Sequence, residues 1–181
     1  QEDTYQSSTF DMYLEGVSIE SAPELESGFY EGDLGIVDDL KEFVALAQAA
    51  TVDLPENVDE EETKAKFITP MLQALGWNIF DNREVRMEYQ RGSNKFDYAL
   101  FGSHAESPSV VVEAKSHQTP LRRDAEGQLS GYMQMVDAEW GMAANGHEVW
   151  LYHNSLREGP SVQRVARIPI EEAGNATVLG V

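Results

Sequence analysis

The stretch SVVVEAK, residues 109–115, constrains the fold of this chain more than any other stretch. Its three consecutive valines predict a β-strand that is buried on both faces of a sheet. The strand nevertheless ends in Glu113 and Lys115, and such side chains are rarely buried unless they are paired. The two charged side chains therefore require a partner or a function within the fold.

Hydrophobic spacing predicts the other helices and strands. In chain order these are a helix over 37–50, a helix from 59 to 76, strands over 84–89, 95–101 and 109–115, a helix over 121–137, strands over 139–144 and 147–153, and an edge strand or surface segment over 163–170. This order indicates an α/β or α+β fold with a central mixed β-sheet flanked by helices.

The helix that ends near residue 76 has clear boundary signals. Asp59 is a predicted N-cap, and Glu62 three residues later completes a capping box. Gly76 is the predicted end of the helix. Pro70 lies inside the helical pattern, so we expect it to kink the helix or to destabilise it.

The register of the two strands before and after the loop 102–108 follows from the symmetry of that loop. Pairing Phe101 with Ser109 in an antiparallel hairpin places Asp97 directly across from Glu113. Side chains in such positions have Cβ atoms about 4.5–5.5 Å apart, and two acids at that distance repel each other. The register therefore predicts a cation between Asp97 and Glu113.

Alternation along each strand predicts which side chains share a face of the sheet. Glu113 and Lys115 share a face with Val111, and Val110, Val112 and Ala114 take the opposite face. In the preceding strand, Asp97 shares a face with Ala99, opposite Phe96, Tyr98 and Leu100.

The pattern formed by Asp97, Glu113 and Lys115 is typical of a divalent-metal site. Two carboxylates are suitable ligands for Mg²⁺ or Mn²⁺, and the lysine can orient an attacking water and offset charge on a phosphate. Glu60 lies on the helix face that should meet the sheet and is the favoured third carboxylate, with Glu61 as an alternative. A surface salt-bridge cluster is the simpler interpretation of the same residues.

Further polar side chains could serve a nucleic-acid site. Gln128 and Tyr132 are four residues apart on the predicted helix 121–137, so they share a face. If they have no such function, Tyr132 is core and Gln128 is exposed. Basic residues that could contact phosphates, or form ordinary surface charge, are Lys64, Arg83, Arg86, Arg91, Lys95, Arg122 and Arg123.

The net charge of −19 is concentrated in one part of the chain, because residues 1–62 carry 18 acidic residues and one lysine. A high-salt environment, an acidic arm that competes with a polyanion for a basic groove, and a solvated leader remain open as explanations. The whole chain is too acidic for a generic nucleic-acid binder.

Several other functional classes lack the residues that they need. Without cysteine there are no disulfides or thiolate metal sites, and the four histidines lack zinc spacing. No GxSxG motif is present. Since no transmembrane-length apolar run or signal peptide is found either, we expect a cytoplasmic protein with no membrane contact.

From about Glu60 to His153 the sequence resembles the N-terminal nuclease domain of type I restriction enzyme R subunits and related stand-alone proteins, within the PD-(D/E)xK nuclease superfamily. The matching residues are Glu60 to Lys64, Pro70, Leu72, Leu75 to Trp77, Glu84, Val85, Lys95 to Leu100, Val112 to Lys115, Gln128, Tyr132, Asn145 and Gly146. The proline of the superfamily name is absent before Asp97, where Phe96 stands.

This resemblance implies a restriction-endonuclease-like core and a Mg²⁺- or Mn²⁺-dependent DNA endonuclease. Glu60, Asp97 and Glu113 would assist the metal and Lys115 would be catalytic. Gln128 and Tyr132 would position nucleic acid or support the site.

The resemblance also implies partners beyond DNA. The chain contains no GxxxxGK[ST] motif, so ATP-driven translocation would belong to a motor subunit, with specificity subunits as further partners. A homodimer is another option. We expect an acidic extension over 1–36 and a nuclease domain over 37–181, with its core at about 60–153.

Two non-enzymatic alternatives remain. The chain could be a DNA- or protein-binding, regulatory module with a nuclease fold and no turnover, in which the acidic arm acts as partner surface or autoinhibitor. It could also be an acidic globular protein without catalysis. The complete set of Asp97, the Glu113 and Lys115 pair, and the Gln128 and Tyr132 pair favours the nuclease.

Overall fold

The structure, a computed structural model, describes residues 18–19, 33–52, 54–102, 105–154 and 162–172, with the backbone alone at 18–19, 33–38, 124 and 172. Most of the predicted acidic extension, and His104, lie outside the described residues. The helices are α1 (Asp33–Val52), α2 (Glu60–Thr63), a π-helical turn (Lys64–Ile68), α3 (Thr69–Ala74), α4 (Arg123–Val136) and a 3₁₀ turn (Ile170–Glu172). The strands are β1 (Ser18–Ile19), β2 (Val85–Arg91), β3 (Asn94–Leu100), β4 (Val110–Ala114), β5 (Trp140–Ala144), β6 (Glu148–Asn154) and β7 (Val162–Pro169).

The strands form one mixed sheet in the order β1-β7-β6-β5-β4-β3-β2. The pairing of β4 with β5 is parallel and the other pairings are antiparallel. Parallel neighbours need a crossover connection, and α4 supplies it. The predicted α+β class, a mixed sheet flanked by helices, is therefore confirmed. Among the described helices, none is long and apolar enough to cross a membrane.

Helices cover both faces of the sheet. On one face, α1 and α3 pack with side chains that include Val112 and Ala114 of β4. On the other face, α4 packs with side chains that include Val111 of the same strand. Because apolar contacts exist on both sides, β4 can be a continuous apolar run, as its valines predicted.

The predicted elements are confirmed with shifts of one or two residues, apart from two differences. Helix α1 begins at Asp33 and not at residue 37, so the predicted domain boundary after residue 36 falls inside a helix. The segment predicted as an edge strand or surface segment, 163–170, forms β7, which is paired on both sides with β6 and β1.

The helical region from Asp59 to Gly76 has the predicted ends. The Asp59 carboxylate accepts a hydrogen bond from the amide N of Glu62 at 2.7 Å, which confirms the N-cap. The Glu62 side chain pairs with Lys66 four residues later. Gly76 adopts φ +88, the left-handed conformation of a helix C-terminus that glycine allows at low cost.

Pro70 does not break this helical region. The π-helical turn Lys64–Ile68 comes just before it, and the proline then occupies the first turn of α3. A proline in a regular helix clashes with the carbonyl group four residues earlier and lacks the N–H of a hydrogen bond. The wider π turn accommodates both defects, so the predicted kink appears as a change of helix type.

Strand β3 departs from simple alternation at Asp97. Tyr98 and Leu100 pack with α1 and α3, whereas Phe96 packs with α4 on the opposite face. The prediction that Phe96 shares a face with Tyr98 is therefore wrong. Pairing of β3 is interrupted at Asp97 on both of its sides, so the strand is not held to regular pleating there.

The turn between β5 and β6 gives a stability test. Gly146 has φ +82, and a Cβ atom there would lie 2.9 Å from both His117 Nδ1 and Phe67 Cγ. We expect Gly146→Ala to lower the free energy of unfolding by about 2 kcal/mol, measured by urea denaturation. Gly131→Ala in α4, where no atom lies within 4 Å of the added Cβ, should instead raise it by up to about 1 kcal/mol. Equal effects of the two substitutions would contradict this account of the turn.

Candidate functional site

The candidate site begins where the pairing of β3 with β4 ends. The last pair of that ladder is Tyr98 with Val112. The next position in the same register brings Asp97 opposite Glu113, as the loop symmetry predicted. The Asp97 Oδ2 atom accepts a hydrogen bond from the amide N of Ala114 at 2.8 Å. The Asp97 side chain thus ties β3 to β4 directly beside Glu113.

Glu113 is a buried acid, with 3% of its surface exposed. Burial raises the pKa of its carboxyl group, and the hydrogen bond and charge of Lys115 lower it again. With the smaller upward effects of the Asp97 and Glu60 charges, the pKa lies at about 7. Burial has the largest single effect on the pKa of Lys115 and lowers it, but the hydrogen bond to Glu113 and the charges of the nearby carboxylates together raise the pKa overall. The buried Glu113 and the half-buried Lys115 therefore form an ion pair.

The helix supplies a third carboxylate. Glu60, the first residue of α2, is half-buried, and its pKa is raised by burial and then by the charge of Asp97. It also interacts electrostatically with Lys115. The side chain of Glu61 is 78% exposed and pairs with Lys64. Of the two candidates for the third carboxylate, Glu60 is therefore the one that interacts electrostatically with the strand acids.

Lys64 lies inside this group of charges. The prediction treated it as a surface contact for phosphate, but it is buried, with 7% of its surface exposed. Its Nζ atom donates to Asp97 Oδ1 at 3.1 Å and to Glu88 Oε1 at 2.8 Å. The π-helical turn starts at this residue. Lys64 is therefore a second lysine of the site and not an exposed cation.

Gln128 and Tyr132 share one face of α4, as predicted. The Gln128 amide N donates to the Tyr132 hydroxyl at 2.7 Å. Gln128 is exposed, and Tyr132 packs its ring edge-on against Phe96 at 4.6 Å. Since Phe96 precedes Asp97, the pair lies alongside the strand that carries the first carboxylate.

The remaining predicted phosphate contacts are divided between several places. Arg83 is exposed and bound to Asp81, and the Arg86 guanidinium lies 4.2 Å from the Phe101 ring centroid, at the end of β2 away from Asp97. Lys95 pairs with Glu88. Arg91, the last residue of β2, is exposed, and so are Arg122 and Arg123 at the start of α4. Arg83 and Lys95 are thus already paired with acids, and Arg91, Arg122 and Arg123 are the exposed cations at the ends of β2 and α4.

Glu88 belongs to this site although sequence reasoning missed it. The two-residue turn after Arg91 sets the β2–β3 register, in which Glu88 falls opposite Asp97. Gly92 adopts φ +61 in this turn. The dipeptide Gly92-Ser93 between two strand patterns was the signal that could have located Glu88.

Asp97 and Glu113 fit a divalent cation by their chemistry. Within the described part of the chain, no group of three or more His, Asp or Glu side chains is close enough to hold a metal ion. Mg²⁺ is usually bound by one or two carboxylates together with water and substrate phosphates. The raised pKa of Glu113 reflects its burial first and the nearby charges of Asp97 and Glu60 second, and a bound cation would stabilise its ionised form. The residues therefore suit a site completed by water or phosphate.

Comparison with known proteins gives a family match and a similar solved structure. The family model described as type I restriction enzyme R protein N terminus matches residues 59–169. A solved structure, described as a fragment of a putative HsdR subunit of a type I restriction enzyme from Vibrio vulnificus YJ016, is similar at 23% sequence identity and a TM-score of 0.48. The match covers 70% of this chain and 26% of the solved chain, so this chain spans about a quarter of that length. No curated protein matches.

The burial of Glu113 predicts a pH dependence of stability in the absence of metal. Its folded-state pKa of about 7 is above the ordinary value of 4.5, so the folded state holds a proton that the unfolded state loses. Between pH 4.5 and 7 the free energy of unfolding should fall as pH rises, by up to about 3 kcal/mol. Urea denaturation in EDTA across this range measures the slope.

Glu113→Gln is the informative variant for that slope, because it cannot ionise. It should flatten the decline, and Glu106→Gln, which removes an exposed acid, should leave the decline in place. A wild-type protein whose stability rises across the same window would contradict the assignment of a raised pKa to Glu113.

Proposed function

Because the chain belongs to the type I restriction enzyme R protein N-terminal family, we propose that it is a restriction-type nuclease domain that hydrolyses DNA phosphodiester bonds with a divalent metal ion. The main support is the pair of strand acids Asp97 and Glu113, opposed in register at the end of the β3–β4 ladder with Lys115 bound to Glu113. The three residues resemble the Asp, Glu and Lys pattern of PD-(D/E)xK nucleases, which supports this proposal.

Asp97 and Glu113 would hold Mg²⁺ or Mn²⁺, with Glu60 close enough to add negative charge. When bound, such an ion makes a water molecule more acidic and offsets charge on the phosphate. Lys115 would donate a hydrogen bond to the water or to a phosphate oxygen near Glu113. The exposed amide of Gln128, fixed by Tyr132, would contact the DNA strand beside β3.

Exposed cations would add contacts to the DNA backbone. Arg91 is the last residue of β2. Arg122 and Arg123 lie at the start of α4, the helix that carries Gln128. Phosphate contacts position a duplex without reading its sequence. We infer that sequence choice and movement along DNA come from specificity and motor subunits of a type I restriction system, with cytoplasmic DNA as the substrate.

A second candidate is a nuclease-fold module that binds DNA or protein without turnover. It is favoured by one observation: ammonium groups already compensate both strand acids, Lys64 at Asp97 and Lys115 at Glu113. In that function, the same charges would serve stability alone.

The first test is cleavage of plasmid DNA with Mg²⁺, Mn²⁺ or EDTA. Asp97→Asn retains an acceptor for the Ala114 amide and Lys115→Gln retains a donor to Glu113, so both should fold. Each should lower metal-dependent cleavage by about a hundredfold or more. Asp81→Asn, an acid bound to Arg83 outside the carboxylate group, should retain wild-type cleavage.

Calorimetric titration with Mn²⁺ separates the possible results of this test. Metal-dependent cleavage that both variants lose supports the nuclease. Mn²⁺ binding that Asp97→Asn abolishes, without cleavage by the isolated chain, supports a nuclease domain that needs its motor subunit. Neither Mn²⁺ binding nor cleavage would favour the binding module.

Tyr132→Phe tests the contribution of the α4 pair. The ring can keep its packing on Phe96, but the hydroxyl that accepts from Gln128 is lost. We expect cleavage to fall by about tenfold, while the free energy of unfolding changes by less than about 1.5 kcal/mol. Gln128→Ala should lower cleavage to a similar degree. A large loss of stability without loss of cleavage would show that the pair is structural.

A further inference from the structure

Three acids occupy one row across three neighbouring strands. In the β2–β3 register Glu88 faces Asp97. The residues before and after each of them are paired, but Glu88 and Asp97 are not. The β3–β4 pairing stops one position before Asp97 and Glu113. Glu88, Asp97 and Glu113 therefore lie side by side in register, where the main-chain pairing of the sheet is interrupted.

The backbone of Glu88 is strained. Its φ is +52, and the other non-glycine residue with positive φ in the described chain is Asp137, at the C-cap of α4. A left-handed residue is common at a helix end, but inside a strand it is unfavourable for any residue except glycine. Such conformations persist when surrounding contacts hold them, and they cluster at functional sites.

The Glu88 carboxylate is held by two lysines. Its Oε1 atom accepts from Lys64 Nζ at 2.8 Å, and its other oxygen pairs with Lys95. The same Lys64 Nζ atom donates to Asp97 Oδ1 at 3.1 Å. Lys64 thus bridges Glu88 and Asp97, and the longer of the two hydrogen bonds is the one to Asp97.

We propose that Glu88 is a positioning residue of the nuclease site, acting through Lys64 on Asp97. An ammonium group at Asp97 competes with a divalent cation for the same carboxylate. Glu88 shares that ammonium group and adds negative charge to the row, and both effects favour cation binding at Asp97 and Glu113. This inference rests on the proposed function.

Manganese binding by the full chain tests this role. Glu88→Gln should weaken Mn²⁺ binding by about tenfold, because Lys64 loses the charged partner with which Asp97 shares it inside the sheet, and the row loses one negative charge. Glu61→Gln is the matched control, since Glu61 also pairs with Lys64 but has a side chain that is 78% exposed. It should change the affinity by less than about twofold.

A second pair of variants separates positioning from folding. Glu88→Gly lacks the carboxylate but accommodates φ +52, so it should share the Mn²⁺ defect of Glu88→Gln while differing in thermal stability. In a Lys64→Met background, Glu88→Gln should have a clearly smaller effect on Mn²⁺ affinity. In EDTA, the double variant Lys64→Met with Glu88→Gln should lower the urea midpoint by less than the sum of the effects of Lys64→Met and Glu88→Gln alone.

The outcomes distinguish this inference from the proposed function. Wild-type Mn²⁺ binding that Glu88→Gln leaves unchanged, or an effect of equal size with and without Lys64, overturns the positioning role alone. A wild-type chain that binds no Mn²⁺ overturns the proposed function and this role with it. Weakened binding by both Glu88 variants, dependent on Lys64, supports the inference.

Discussion

The compensation of negative charge at Asp97 and Glu113 is the constraint on which this structure depends. Both acids lie on inner strands of a sheet whose two faces are covered by apolar side chains. An unpaired carboxylate in such a place is costly, so cations must reach it. Lys115 comes from the same strand as Glu113, and Lys64 comes from the helix that opens the family segment. The helix and the sheet are therefore joined by charge as well as by apolar packing.

The sequence predicted much of the fold because its strongest signals are local. The valine run of β4, the capping residue Asp59 and the turn at Asn145 and Gly146 each act within a few residues. The β3–β4 register was also correct, since the loop between the strands is symmetric about its centre. From that register alone, Asp97 and Glu113 could be placed opposite each other before any tertiary contact was known.

What the sequence did not predict depends on contacts between distant segments. The burial of Lys64 arises from acids 24 and 33 residues further along the chain. Phe96 packs on the face opposite to its predicted one because the pairing with β2 is interrupted, and the pairing with β4 ends, at its neighbour Asp97. Alternation assumes an unbroken ladder. The π-helical turn before Pro70 likewise depends on the surrounding packing, because propensity alone favours a break at that residue.

In the proposed nuclease, the charges that stabilise the metal-free sheet would also limit metal binding. A divalent cation at Asp97 and Glu113 would have to compete with the ammonium groups of Lys64 and Lys115 for the two carboxylates. A DNA phosphate would change this balance, because it would offer the displaced ammonium groups a new anionic partner and the cation another oxygen ligand. Metal and DNA should therefore bind with positive coupling, each favouring the other at this site.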